Sequence, residues 1–280
     1  MLKLNALKKL VKKIPYVAHW ARVIIYHFIF VRKNMHPGGY FFSGTFLMEK
    51  GNFEAEEMEL FKKLLKKCDR FINVGANVGY YVCVAAKAGK PITAFEPLQS
   101  NLKILYKNLS MNEWLSKIEI FPIAIGSKIR LNKIYGFGTG ASLIKKWANS
   151  DIYHYKYAPT STLDSCISQR FKNEKLLIIA DIEGFELEML MGAKKILSLE
   201  PKPTWIIEIS FDEHMPEKIK YNKAIKCFQI LWNLGYKSYF ADTNLIEINK
   251  NILNRIIKNK SKKVPKNNFL FLDQKLSLKI

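Results

Sequence analysis

Arginine is scarce in this chain: only six of its 45 basic residues are arginine, and the others are lysine. Bidentate reading of phosphate or guanine favours the planar arginine fork, so a formal charge of +21 does not mark a nucleic-acid surface, and no such partner is expected. Cysteine is sparse too. Cys68, Cys83, Cys166 and Cys227 lie far apart, with no C-x-x-C pair and no histidine at ligand spacing, which argues against a zinc site and a disulfide scaffold. Apolar neighbours such as Val82 and Val84 suit reduced thiols in a reducing, cytoplasmic setting. With 14 glycines, 10 prolines and no repeat, disordered and solenoid architectures are excluded as well.

Long apolar runs are also missing. Tyr16 to Val31 is aromatic and apolar but carries His19, Arg22 and His27, whereas a membrane span needs about 20 mostly apolar residues. No small-x-small cleavage site follows, so a signal peptide is not expected. Before Pro15, residues Leu4, Leu7, Val11 and Ile14 recur at helical spacing among Lys3, Lys8, Lys9, Lys12 and Lys13, a basic amphipathic helix. Two readings stay open. This segment either packs on the domain or lies on an anionic inner membrane face, with Trp20, Tyr26, Phe28 and a later cluster of Lys258, Lys260, Lys262, Lys263 and Lys266 drawn to the same surface.

What the sequence does have is alternation. A helical pattern over Phe53 to Lys67 precedes a short apolar strand, Arg70 to Val74. Further strand candidates follow at Ile92 to Glu96, Ile118 to Ile125, Leu176 to Asp181, Thr204 to Ile209, Lys237 to Ala241 and Asn268 to Leu272, most separated by helical patterns. Strands interleaved with helices imply parallel βαβ units, and continuous apolar runs such as Leu176 to Ala180 are those of strands covered on both faces. Two stretches interrupt the rhythm, Ser127 to Phe171 and Leu245 to Asn268.

The first strand runs into a glycine-containing turn, Asn73-Val74-Gly75-Ala76-Asn77-Val78-Gly79-Tyr80-Tyr81. A dinucleotide fingerprint would need glycines where Asn77 and Tyr80 stand, and no Gly-Lys-Ser or Gly-Lys-Thr follows, so a pyrophosphate clamp and a P-loop are both excluded. The surviving G-x-N-x-G pattern suits a bulky nucleoside without phosphates, with Gly75 and Gly79 permitting close approach and Asn77 tolerating a left-handed backbone. Glu96, at the carboxyl end of the second strand, can accept both ribose hydroxyls.

Four ordered motifs, Asn73 to Tyr81, Ala94-Phe95-Glu96-Pro97, Thr162-Leu163-Asp164 and Asp181-Ile182-Glu183-Gly184-Phe185-Glu186-Leu187-Glu188, resemble the FkbM-type S-adenosylmethionine-dependent methyltransferases over about Glu54 to Asp273. The resemblance implies a Rossmann-like α/β fold of class I methyltransferase type. Its seven-stranded sheet would have an antiparallel last strand and helices on both faces, in a domain over 51–280 after a helical extension over 1–50. It implies S-adenosylmethionine as cofactor, held by Asn73, Gly75, Asn77, Gly79, Tyr80, Glu96 and Pro97. At Asn73 the family usually has an acidic residue; the amide keeps an acceptor oxygen and loses the charge, which keeps a non-catalytic relative in view.

Methyl transfer needs alignment, and a hydroxyl acceptor must also lose its proton. Asp181, Glu183 and Glu208, at or just after strand ends, are the candidate bases, with His214 behind them and with Glu186 and Glu188 read as the start of a helix. A divalent metal held by clustered carboxylates is the less favoured alternative, because no histidine pair accompanies them. The family's acceptors are mostly hydroxyls of sugars and polyketides, which implies O-methylation of a sugar, glycan or glycolipid. The alternative, a nucleic-acid methyltransferase acting on base amines, would place Asn/Asp-Pro-Pro-aromatic where this chain has Asp181-Ile182-Glu183-Gly184. Gly136 to Ser142 together with Tyr153, Tyr155 and Tyr157 suit either a mobile, sugar-stacking lid or, with equal claim, plain surface packing.

Overall fold

A computed structural model describes residues 33–150, 152–168, 170–211, 214, 216, 222–258 and 267–275. The basic amphipathic helix, the aromatic segment with Trp20, Tyr26 and Phe28, and Lys260, Lys262, Lys263 and Lys266 lie outside the described residues. In chain order the strands are β1 (Asn34–His36), β2 (Tyr40–Phe42), β3 (Arg70–Val74), β4 (Ile92–Phe95), β5 (Ile118–Phe121), β6 (Ala124–Ile125), β7 (Arg130–Tyr135), β8 (Tyr155–Ser161), β9 (Leu176–Ala180), β10 (Thr204–Glu208), β11 (Tyr236–Phe240) and β12 (Asn268–Asp273). The helices are α1 (Phe46–Glu49), α2 (Ala55–Lys67), α3 (Tyr80–Lys87), α4 (Gln99–Ser110), α5 (Leu163–Ile167), α6 (Glu186–Met191), α7 (Lys194–Leu197), α8 (Asn222–Asn233) and α9 (Lys250–Lys258).

Seven strands form the central sheet in the order β11-β12-β10-β9-β3-β4-β5. Its five strands from β10 to β5 are parallel, and β12 inserts antiparallel between β10 and β11, the arrangement that the resemblance implies. Successive residues of the apolar runs face opposite sides of the sheet. Phe71, Leu177 and Ile179 pack with Leu60 and Phe61 of α2 and Leu105 of α4. Ile72, Ile178 and Ala180 pack with Met189 of α6 and Phe228 of α8. Each face is therefore covered by helices, which leaves the strand ends as the open edge of the sheet among the described residues.

The expected strand Ile118 to Ile125 is two strands in different sheets. Pro122 has no N–H to give a ladder, and Ile123 N–H instead donates to the Phe121 carbonyl at 2.8 Å, turning the chain. Beyond the turn β6 pairs with β8, which pairs with β7, so the long interruption folds as a small sheet of its own above the carboxyl edge. No described helix is long and apolar enough to cross a membrane.

Residues 34–49, assigned from the sequence to the extension, supply Tyr40, Phe42 and Met48 to the main core. Asn108 of α4 fastens this segment. It accepts from Ser43 N–H (2.8 Å) and donates to the carbonyls of Ser43 (2.9 Å) and Val78 (2.8 Å), joining the segment to the turn after β3. Asn108→Ala removes three hydrogen bonds to buried backbone and should lower stability by about 2–4 kcal/mol, read from urea unfolding. An unchanged midpoint would show that the clamp contributes nothing.

Candidate functional site

Between β3 and α3 the backbone is held by close approach. Gly75 has φ 85°, and a Cβ there would sit 1.9 Å from the Asp181 carbonyl oxygen, so no other residue fits. Gly75 and Ala76 N–H both donate to the Phe95 carbonyl at 2.9 Å, and Asp181 N–H donates to the Val74 carbonyl at 3.1 Å. The ends of β3, β4 and β9 are thereby stitched together. Asn77 takes φ 52°, donates its N–H to Glu96 Oε2 at 2.8 Å, and leaves its buried Oδ1 without a partner. Gly79 has a different reason: with φ 90° it starts α3, and a Cβ would strike Leu105 Cδ1 at 2.4 Å. It serves packing against α4 and lines neither of the cavities described next.

Two cavities meet at Gly75, Asn77, Thr139, Asp181 and Glu183 and make one groove. The smaller is walled by Phe95, Ile123, Ile125 and Leu143 and edged by Glu96 and Pro97. Burial pushes the Glu96 carboxyl up to about 7, although it accepts from Asn77 and Leu98 N–H (2.8 Å each) and from Asn101 Nδ2 (3.2 Å). The larger cavity holds Asn73, Tyr80, Tyr81, Thr45, Glu54 and Glu208.

That larger end is strongly acidic. Asp181 is exposed, and its charge, followed by burial, drives the Glu208 carboxyl well above the carboxylate range. Burial, then the Asp181 charge, raises Glu54 to about 7 and Glu183 to about 8. Glu57 is raised by burial and by Glu54. The Tyr81 hydroxyl lies 2.7 Å from Glu54 Oε2 and 2.7 Å from Glu57 Oε1, and one hydroxyl proton cannot serve both. One of those carboxyls must then be protonated and donate to the tyrosine oxygen. Asn268 Nδ2 also donates to Glu57. Among the described residues no group of three or more His, Cys, Asp or Glu side chains is arranged to hold a metal ion.

Asp181, Glu183 and Glu208 thus share one cavity with Asn73, Gly75, Asn77 and Tyr80, while Glu96 and Pro97 line the adjoining one. Glu186 turns away to cap its own loop, accepting from Ile182 N–H (3.3 Å) and Gly184 N–H (3.0 Å), and Glu188 pairs with Lys223 at 2.7 Å. His214 lines neither cavity; its carbonyl accepts from Ala148 N–H and its ring lies 6.1 Å from that of Trp147. The tyrosine lid is corrected. Tyr153, Tyr155 and Tyr157 are exposed outside the groove, with Lys133 over the Tyr155 ring, because Tyr153 precedes β8 and the strand directs Tyr155 and Tyr157 away from it. The groove wall comes instead from Thr139, Ala141 and Leu143. Trp147, fully buried, donates to Glu183 Oε2 at 2.6 Å, and Ser142 Oγ donates to the Glu183 carbonyl at 2.6 Å. Gly184 makes room for that indole, since a Cβ there would meet it at 2.3 Å. Tyr81 closes the first sequence motif, whereas Glu54, Glu57, Thr45 and Trp147 carry no local sequence signal that would have singled them out.

Comparison with known proteins gives a family and a set of structural likenesses. The family described as methyltransferase FkbM domain matches residues 73–238, more than half of the chain. No curated protein matches the sequence. Among solved structures, methyltransferase FkbM from Methylobacillus flagellatus KT aligns with 13% identity and a TM-score of 0.45, covering 92% of this chain and 62% of that one. WbdD aligns with 11% identity and a TM-score of 0.42, covering 82% and 41%. The O-methyltransferase from Bacillus cereus in complex with SAH aligns with 8% identity and a TM-score of 0.41, covering 78% and 79%. This chain therefore spans less than two thirds of the first two.

The carboxyls fix a pH dependence. Burial raises Glu186 to about 8 from an ordinary 4.5, so the folded chain binds the extra proton and the associated stability is complete below about pH 4.5. It is lost as pH rises through about 8. Glu186→Gln keeps an oxygen for Ile182 and Gly184 and does not ionise. Its melting temperature relative to wild type should therefore climb by at least about 2 °C between pH 5 and 8 in thermal unfolding. A constant difference would mean that Glu186 is not protonated in the fold.

Proposed function

This chain belongs to the FkbM methyltransferase family, and on that premise we propose that it transfers a methyl group from S-adenosylmethionine to a hydroxyl of a sugar, glycan or glycolipid-type acceptor. The observation that carries the reading is a single groove that joins an apolar end at Glu96 to an acidic end at Asp181 and Glu208. The residues present fit the cofactor. Asn77 Oδ1 is buried and unpartnered beside the groove, and the carboxyls complement a ligand bearing sulfonium and ammonium charges.

Glu96 would hold the ribose hydroxyls on the oxygen lone pairs its backbone partners leave free, with Pro97 beside it and Phe95, Ile123 and Ile125 enclosing the base. Gly75, Asn77, Asn73 and Tyr80 would seat the remainder of the cofactor along the turn. When bound, S-adenosylmethionine supplies an electrophilic methyl group. The chain's own contribution is alignment and proton removal. Asp181, exposed to the groove, would take the acceptor hydroxyl proton, and Glu208, as the protonated partner, would hold the Asp181 carboxylate in place. Glu183, fixed by Trp147 and Ser142, would complete the wall on the acceptor side and exclude water. The sugar class of the acceptor rests on family kinship, and its hydroxyl chemistry on these carboxyls.

Glu96→Gln should weaken S-adenosylmethionine binding by about 1–3 kcal/mol in titration calorimetry, and unchanged affinity would remove Glu96 from the ribose. Asp181→Asn and Glu208→Gln should each slow methyl transfer by about 10²–10⁴ with cofactor affinity kept; full turnover in both would move the base elsewhere. Incubation of the protein and methyl-labelled S-adenosylmethionine with separated glycan, lipid and RNA fractions should label glycan or glycolipid. Label in RNA alone would overturn the acceptor class.

A further inference from the structure

Asn73 lines the larger cavity and is 2% exposed, yet its side-chain amide makes no hydrogen bond among the described residues. A polar side chain that deep, with no protein partner, is left for a ligand to meet. Its surroundings state the sign of that ligand. Glu54, Asp181, Glu183 and Glu208 line the same cavity, and no described lysine or arginine does. A small cation with protons to donate, an alkylammonium, satisfies both the carboxyls and the amide oxygen.

Tyr81 decides which carboxyl carries the charge. Its hydroxyl lies 2.7 Å from Glu54 Oε2 and 2.7 Å from Glu57 Oε1, so one carboxyl donates to the tyrosine oxygen and the other accepts. Glu57 is buried and off the cavity, its Oε2 already accepts from Asn268, and burial pushes its carboxyl well above the ordinary range. The proton therefore sits on Glu57 Oε1. Glu57 donates to Tyr81, and Tyr81 donates to Glu54, which burial and then the Asp181 charge raise only to about 7, below Glu183 at about 8. The chain of bonds thus delivers negative charge to the member that faces the cavity.

We propose that Glu54 and Asn73 together hold the primary ammonium group of the cofactor, the carboxylate supplying the charge and the amide oxygen a further acceptor. The inference rests on the S-adenosylmethionine reading above and adds to it a residue from the start of α2, outside the glycine turn. An amine on the acceptor is a second source of the same chemistry. The cofactor is the nearer one, because Asn73 runs directly into the turn of Gly75 and Asn77 and Glu54 shares their cavity.

S-adenosylhomocysteine keeps the amino group and has no methyl to transfer, so the test reads binding without turnover. Titration calorimetry on the full chain compares it with its analogue lacking the amino group. Wild type should bind the analogue about tenfold or more weakly. Glu54→Gln, which can still bond Tyr81, and Asn73→Ala should each weaken S-adenosylhomocysteine about fivefold or more and leave the analogue within about twofold of wild type. Equal binding of the two compounds by wild type, a comparison that needs no variant, overturns the proposal, leaves the cofactor reading standing and assigns the acidic end to an acceptor amine. Binding of neither compound overturns both. Variants that weaken the two compounds alike, or neither, also overturn the proposal, since the amino group would then not be what Glu54 and Asn73 hold.

Discussion

The contact between Gly75 and the Asp181 carbonyl governs the geometry of the whole groove. It forces the turn after β3 against the end of β9, and the two backbones cannot separate without breaking the bonds from Gly75 and Ala76 to Phe95 and from Asp181 to Val74. Three strand ends become one rigid edge. Asn77, Glu96 and Asp181 are then placed by backbone rather than by flexible side chains, which is how a parallel sheet turns a row of strand ends into a binding surface.

That rigidity holds together something inherently unfavourable. In a chain with 45 basic residues, Glu54, Asp181, Glu183 and Glu208 gather with no described lysine or arginine lining their cavity, and Glu57 stands behind Glu54. The repulsion is relieved by protons instead of cations, as the shared Tyr81 hydroxyl and the raised carboxyls indicate. Asn73 makes sense in this setting, because a further carboxylate at that buried position would add to the repulsion. Glu54, Asn77 and Glu183 all have positive φ, at 48°, 52° and 54°, and such left-handed residues cost of order 1–3 kcal/mol each. Charge and backbone strain are concentrated in one place, and packing on both faces of the sheet offsets them.

Much of this was legible in the sequence. The strands of the central sheet, the Gly75 and Asn77 turn, Glu96 and the three carboxylates after β9 and β10 all announce themselves by local pattern, since each sits at a fixed offset from a strand end. What was hidden comes from distance. Glu54 and Glu57 reach the groove through contacts with Tyr81 some 27 and 24 positions away, and Trp147 reaches Glu183 across 36. Periodicity carries no information about such pairs. Gly79 is ambiguous for the opposite reason: a glycine in a ligand turn and a glycine starting a helix look alike until Leu105 is in view. The tyrosines of β8 show the same ambiguity, because alternation along a strand does not say which face is inward.

The position of β12 carries a consequence for biosynthesis. It lies between β10 and β11 although it follows both in the chain, and its first residue, Asn268, closes over Glu57. While a ribosome is still producing the residues between β11 and β12, the nascent β10 and β11 present bare edges rich in Trp, Ile, Tyr and Phe. Such edges can recruit other chains, so that interval is the one in which this strand order exposes the domain to association. The acidic pocket stays open to water until the last strand slots in, and premature release of the chain would leave a partly built domain without a finished site.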